Sequence, residues 1–329
     1  MLLAALPALA TAQGGSTSFE WQLPRGFPIP FVPADNPMSA AKVALGQRLF
    51  FETRLSVTGH YSCASCHDPA RSYTDGRARA VGATGAVMAH SSMALINVAY
   101  NLSYGWQHPE ISSLEAQMRQ PLFNRHPVEI GLAGREREVR AALAADALYT
   151  QQFAAVFGGA ISIVRIIDAI AAFERTLIAG HSAFDAYVFE GEHDALSPAA
   201  KRGMALFFSS RIGCAGCHSG FNFSGNWRDR AGPTGKAGFA DDGLGVGRVR
   251  IPTLRNIALT APYMHDGRFA TLDAVFDHYQ RVGELPSSAR GGTRDPRLKT
   301  FTLSKDERDE LAAFLASLTE RRAAPQAGH

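Results

Sequence analysis

Apolar positions along this chain recur mostly at helical spacing. They fall three and four residues apart over Glu136 to Phe157, Ile163 to Ile178, Thr271 to Tyr279 and Ser304 to Leu318, the pattern of helices that bury one face. Strand-like alternation is scarce, so the pattern predicts a mainly α fold with long loops and little strand. Two more helical runs open on serine N-cap candidates, one after Pro37-Met-Ser39 and one at Leu196-Ser197-Pro198. Each ends in the same string: Gly46-Gln-Arg-Leu49-Phe50-Phe51-Glu-Thr-Arg54 and Gly203-Met-Ala-Leu206-Phe207-Phe208-Ser-Ser-Arg211, five identities at matched spacing. The repeat predicts two related domains, over residues 37–195 and 196–320, each with a helix that delivers a Leu-Phe-Phe wall.

A cysteine motif follows each copy. All four cysteines of the chain lie in Cys63-Ala-Ser-Cys66-His67 and Cys214-Ala-Gly-Cys217-His218. In a Cys-x-x-Cys-His run the two thiols form thioethers to haem vinyl groups, and the adjacent histidine ligates the iron. A zinc site, a thioredoxin-like pair or two disulfides would leave both histidines idle, and the two runs lie about 150 residues apart. The reading is therefore two cytochrome c-like domains, each wrapped around one covalently bound c-type haem. The Gly-rich stretch 220–247 reads as a loop over the second haem, since packed motifs flank it.

With 329 residues, 46% of them hydrophobic, the chain is long enough for two cores, and a net charge of +3 is too mild to argue for nucleic acid. The segment Met1–Gln13 is apolar and closes on small residues like the rear of a secretory signal peptide, although it lacks a basic front. Together with covalent haem it predicts export to the periplasm. No other run approaches the length of a membrane span.

These residues together resemble the bacterial di-haem cytochrome c peroxidase and MauG family, from about Pro37 to Leu318. The most specific stretch is Ile251-Pro-Thr-Leu-Arg-Asn-Ile-Ala-Leu-Thr-Ala-Pro-Tyr-Met-His-Asp-Gly267; Trp106 with Leu114-Glu-Ala-Gln117, and Pro127-Val-Glu129-Ile-Gly131, also match. The ligand on the far side of each iron divides the family. Peroxidases of this kind place a methionine fourteen positions after the histidine of Ala-Pro-Tyr-x-His; here His265 plus fourteen is Tyr279, as in MauG-like enzymes. The resemblance thus makes Tyr279 the ligand opposite His218, a hard donor that favours ferric iron. Met264 is the nearest rival, but its place inside the signature suits packing.

At the first haem the resemblance places Ala83, within Gly82-Ala-Thr-Gly85, where many resting peroxidases hold a blocking histidine, which implies an open iron. His90 is the histidine close enough in sequence to swing in, though a structural role suits it better. Glu129 matches the family's distal glutamate and Gln117 its distal glutamine, the latter with a two-residue insertion between them; a carboxyl group there would shuttle the peroxide proton. Trp106 matches the tryptophan between the haems. Calcium is implied as well: Thr260 and Pro262 match its site, and Ser91 stands where relatives have asparagine.

The function that this resemblance implies is that of a MauG-like oxidase, in which hydrogen peroxide generates a two-Fe(IV) state that oxidises an aromatic residue, tryptophan above all, of a periplasmic protein partner. The methanobactin-operon branch is the favoured setting. The surface tryptophan that MauG carries before its second motif is replaced here by Ser210-Arg-Ile-Gly213, so Trp227 or Tyr263 would serve as the exit route. The alternative is a peroxidase that drains electrons from a small c-type cytochrome or cupredoxin and reduces peroxide to water.

Overall fold

A computed structural model describes residues 19–235, 239–241, 248–282 and 295–321; the leader-like Met1–Gln13 lies outside them. Among the described residues the fold is mainly helical: α1 Ala40–Phe50, α2 Leu114–Phe123, α3 Glu136–Ala144, α4 Ala147–Phe157, α5 Ile163–Glu174, the single turn α6 Ala183–Asp185, α7 Pro198–Phe208, α8 Leu272–Arg281 and α9 Lys305–Ala316. Strand is confined to two antiparallel pairs, β1 Asn226–Asp229 with β2 Gly232–Gly235, and β3 Phe239–Asp241 with β4 Arg248–Arg250. The stretch 220–247 is therefore not plain loop where it is described.

Local capping chemistry sets the helix starts. Ser39 accepts from the Lys42 N–H, Ser197 from Ala200, Thr271 from Ala274 and Ser304 from Glu307, each satisfying an amide that the first turn leaves without a partner. The run 136–157 is two helices rather than one, because Asp146 accepts from the Leu148 N–H and so begins a new helix after Ala144. The run from Ile163 stops at Glu174, short of Ile178. Helix α2 was not evident from periodicity, since Pro121 sits inside it; Ser113 caps it and Leu114, Met118 and Leu122 bury one face.

The repeat has a direct structural meaning. Gly46 of α1 lies so close to α5 that a Cβ would overlap the Ala169 carbonyl, and Gly203 of α7 meets the Glu310 carbonyl of α9 in the same way. The matched glycines thus let each repeat helix cross its partner backbone to backbone. Phe50 and Phe207 are buried, but Phe51 and Phe208 are 46% and 50% exposed, so the wall is Leu-Phe, not Leu-Phe-Phe. Adjacent helical residues point about 100° apart, which turns the third member outward.

The buried apolar side chains form two clusters, one from Leu45 to Ala179 and one from Phe184 to Leu318. Within the second, the Arg255 guanidinium donates to both Asp185 oxygens at 2.8 and 2.9 Å, each side chain being 1% exposed. In the same αL conformation stand Asn97 and Asn256, each preceding a short 3-10 turn, Val98–Tyr100 and Ile257–Leu259. This adds Leu95-Ile-Asn97-Val-Ala99 and Leu254-Arg-Asn256-Ile-Ala258 to the internal repeat.

In an open helix, glycine to alanine stabilises by about 1 kcal/mol. Here the sign reverses: Gly46→Ala and Gly203→Ala should each destabilise by about 1–3 kcal/mol, because the carbonyl in contact belongs to the backbone. Urea unfolding followed by circular dichroism checks this, and a gain in stability would contradict the close crossing.

Candidate haem centres

Each Cys-x-x-Cys-His run forms a 3-10 turn, Cys63–Ser65 and Cys214–Gly216, closed by the histidine N–H donating to the first cysteine's carbonyl at 3.0 and 2.9 Å. The chain then turns back. His67 Nδ1 lies 2.9 Å from the Tyr73 carbonyl and His218 Nδ1 lies 3.0 Å from that of Phe223, and a carbonyl can only accept, so Nδ1 carries the proton. Tyr73 and Phe223 hold φ of 60° and 49°, the left-handed conformation that aims those carbonyls inward. Burial lowers both imidazole pKa values, keeping the rings neutral with Nε2 as a free lone pair. The backbones of Met93 and Pro252, each four residues before its αL asparagine, also lie against the two rings.

None of the four cysteines forms a disulfide. Burial pushes Cys66 up to about 11 and Cys214 to about 12, and raises Cys63 too, which opposes the thiolate form that zinc needs. Among the described residues no three His, Cys, Asp or Glu side chains gather to hold a metal ion. Neutral thiols beside an imidazole held by its far nitrogen fit a haem edge and its iron.

The second centre opens on a largely apolar cavity of about 190 Å³. Cys214, Cys217 and His218 line it together with Phe207, Phe276 and Tyr279. Sequence-distant residues thus meet at one site, Tyr279 from α8 and His218 from the motif. Met264 lines the same cavity, in an αL conformation with φ 73°.

At the first centre, the Ala83 N–H donates to the Glu129 carbonyl at 2.6 Å, and Gly82 packs on the Val128 carbonyl. The two segments that the resemblance singled out therefore touch. Glu129 lies near enough to Cys66 to act on its thiol; burial raises the Glu129 pKa, and Asn124 opposes this by hydrogen bonding. Ile130 and Leu132 donate back to the carbonyls of Pro121 and Leu122, so this loop hangs from the C-terminal turn of α2. Gln117 is half-buried one turn earlier, with no hydrogen bond to Glu129 among the described residues.

Trp106 lines the large cavity and a smaller one of about 80 Å³. Its Nε1 donates to the Ser91 carbonyl at 2.9 Å. Ser91, Thr260 and Pro262, spread over 170 residues of sequence, all line the smaller cavity. The Ser91 hydroxyl donates to the Met264 carbonyl at 3.1 Å and the Thr260 hydroxyl to Ile257 at 3.2 Å. His90 packs its ring 5.5 Å from that of His265, edge to face, and His265 in turn lies 6.4 Å from Trp106. Tyr263 is buried and lines both cavities; Trp227 falls in β1.

A sequence model of the di-haem cytochrome c peroxidase family matches residues 40–194. Over 301 residues the chain is 36% identical to the methylamine utilization protein MauG of Methylorubrum extorquens, covering 89% of this chain and 82% of that protein. It is 31% identical to the cytochrome c551 peroxidase of Nitrosomonas europaea, over 89% of this chain and 84% of the relative. Among solved structures, a MauG-like protein associated with microbial copper homeostasis superposes with a TM-score of 0.86 at 34% identity, covering 94% of this chain and 98% of that one.

A carboxylate beside the first motif escaped sequence reasoning. Glu174 is buried near Cys63, with Oε2 unpartnered, and burial pushes its pKa up to about 8. The signal was a lone carboxylate ending an apolar helix face, Ile170-Ala-Ala-Phe-Glu174. The unfolded chain releases this proton near the ordinary 4.5 and the folded chain near 8, so stability should be full below about 4.5 and decline as pH rises to about 8. Glu174→Gln should flatten that decline. Urea unfolding of both proteins at about pH 5 and 7 checks it, and equal pH dependence would remove Glu174 as the cause.

Proposed function

The chain belongs to the di-haem cytochrome c peroxidase and MauG family of haem-dependent oxidoreductases, and from this we propose that it is a MauG-like oxidase, using hydrogen peroxide to oxidise an aromatic residue, tryptophan first, of a partner protein. The observation that carries the reading is Tyr279 sharing one cavity with His218. In this reading the two domains, 37–195 and 196–320, each hold one covalent haem, through Cys63, Cys66 and His67 and through Cys214, Cys217, His218 and Tyr279. When bound, the haems supply the storage of two oxidising equivalents drawn from peroxide.

The remaining work falls to the chain. Glu129, its pKa raised by burial, keeps a proton to hand and moves it between the two peroxide oxygens, and Gln117, which does not bond Glu129, is a second polar group offered to peroxide. Ala83 leaves room for peroxide beside them. Peroxide takes up two protons and two electrons to give two waters, and the electrons come from the partner's aromatic side chain. Trp106, lining both cavities, carries charge between the halves, and buried Tyr263 offers a way out. Ser91, Thr260 and the Pro262 carbonyl supply oxygen donors for calcium, which would hold the halves in register. The copper-homeostasis setting of the structural neighbour supports a partner from copper handling, and Met1–Gln13 supports a periplasmic meeting place.

A second reading, a peroxidase fed by a small cytochrome or cupredoxin, is favoured by Met264, a thioether in the same cavity as His218. Electron paramagnetic resonance of the resting ferric protein separates the two. One high-spin and one low-spin haem, both signals lost with one equivalent of peroxide, supports the oxidase; two low-spin haems that need prior reduction support the peroxidase. Tyr279→Met should keep both haems but abolish the paired loss of signal, and its survival would favour Met264. Glu129→Gln should slow reaction with peroxide by at least about tenfold, the lower edge of acid–base contributions of roughly 10²–10⁴; an unchanged stopped-flow rate would remove Glu129 from the mechanism.

A further inference from the structure

Arg250 is a buried cation with no anion beside it among the described residues. It is 5% exposed, and its backbone N–H donates to the Trp106 carbonyl at 2.8 Å. Its guanidinium reaches the Met93 sulfur at 3.5 Å, and its Nε is buried without a partner. Burial depresses its pKa to about 10, against which only the Tyr104 hydroxyl acts. Arg175 Nη1 and Arg228 Nε are likewise buried and unpartnered, and these two arginines and Arg250 all act on Tyr104. Glu115 binds Arg175 through Nη2 at 2.6 and 2.8 Å; it is the one carboxylate paired with any of the three among the described residues.

Leaving a guanidinium in this condition is strongly unfavourable unless an anion joins it. Arg250 lines the cavity of Cys214, Cys217, His218 and Tyr279, and also the smaller one beside Trp106. A haem carries two propionate carboxylates on its edge, and the planar fork of arginine matches a carboxylate with two parallel hydrogen bonds. We propose that Arg250 binds a propionate of the haem on His218 and sets the charge balance between that haem and Trp106. The propionate also reconciles Arg250 with a cation held by Ser91, Thr260 and Pro262, since two positive groups can share one cavity wall when an anion stands between them. The inference rests on haem binding at His218, and not on which molecule the enzyme oxidises.

The test uses holoprotein of the wild type, Arg250→Gln and Arg250→Lys, with haem content measured first. Redox titration should show the His218 haem of R250Q shifted toward the ferric form on the order of tenfold, with R250K close to wild type because it keeps the charge. Resonance Raman should show a displaced propionate bending band in both variants, since lysine cannot reproduce the fork. Two haems with unmoved midpoints in R250Q and an unmoved band in R250K overturn the proposal; where R250Q fails to load haem, the R250K band decides alone. A wild-type protein without haem would instead count against the centres themselves.

Discussion

Everything the two centres can do depends on the hydrogen bond that each motif histidine donates from Nδ1 to a carbonyl a few residues on. That bond fixes the tautomer, holds the ring still and leaves Nε2 as the only ligand atom. It requires the chain to double back at once, which is why Tyr73 and Phe223 sit in a conformation that bulky residues avoid. It also requires a firm floor. The glycine crossings supply one in each half by locking the helix before the motif against a second helix.

On this shared frame the halves differ in the residues set beside each motif. The first presents Ala83 against a half-buried glutamate; the second presents a tyrosine in an apolar cavity. The described residues also include several buried cations, of which only some find carboxylates. Arg255 is fully matched by Asp185, and breaking such a pair on one side strands the other charge. Arg250 has no such match among the described residues, so its partner has to arrive with the cofactor.

How much of this was legible in the sequence depends on how local each signal is. The starts at Ser39, Ser197, Thr271 and Ser304 were readable, or nearly so, because an N-cap acts within three residues. The break at Asp146 was not, since the apolar period runs on across it, and α2 was hidden by Pro121. Cys-x-x-Cys-His is legible because all its chemistry-bearing residues are contiguous, five in a row. The gathering of Ser91, Thr260 and Pro262 is a product of tertiary folding, and only the resemblance pointed to it. The asparagine turns went unread because their signature is a backbone angle, and Arg250 because an arginine's meaning depends on whether a carboxylate is near.

The doubled frame has an evolutionary consequence. Each half has its own glycine crossing, asparagine turn and anchored histidine, and the two frames are tied where the Asn256 amide donates to the Ser72 hydroxyl at 3.0 Å. A lineage can therefore exchange one residue beside one motif, a methionine for a tyrosine or a histidine for an alanine, without remaking the glycine crossing and anchored histidine of the sister copy. Such modular tolerance lets one ancestral architecture branch into enzymes that dispose of an oxidant and enzymes that put it to use.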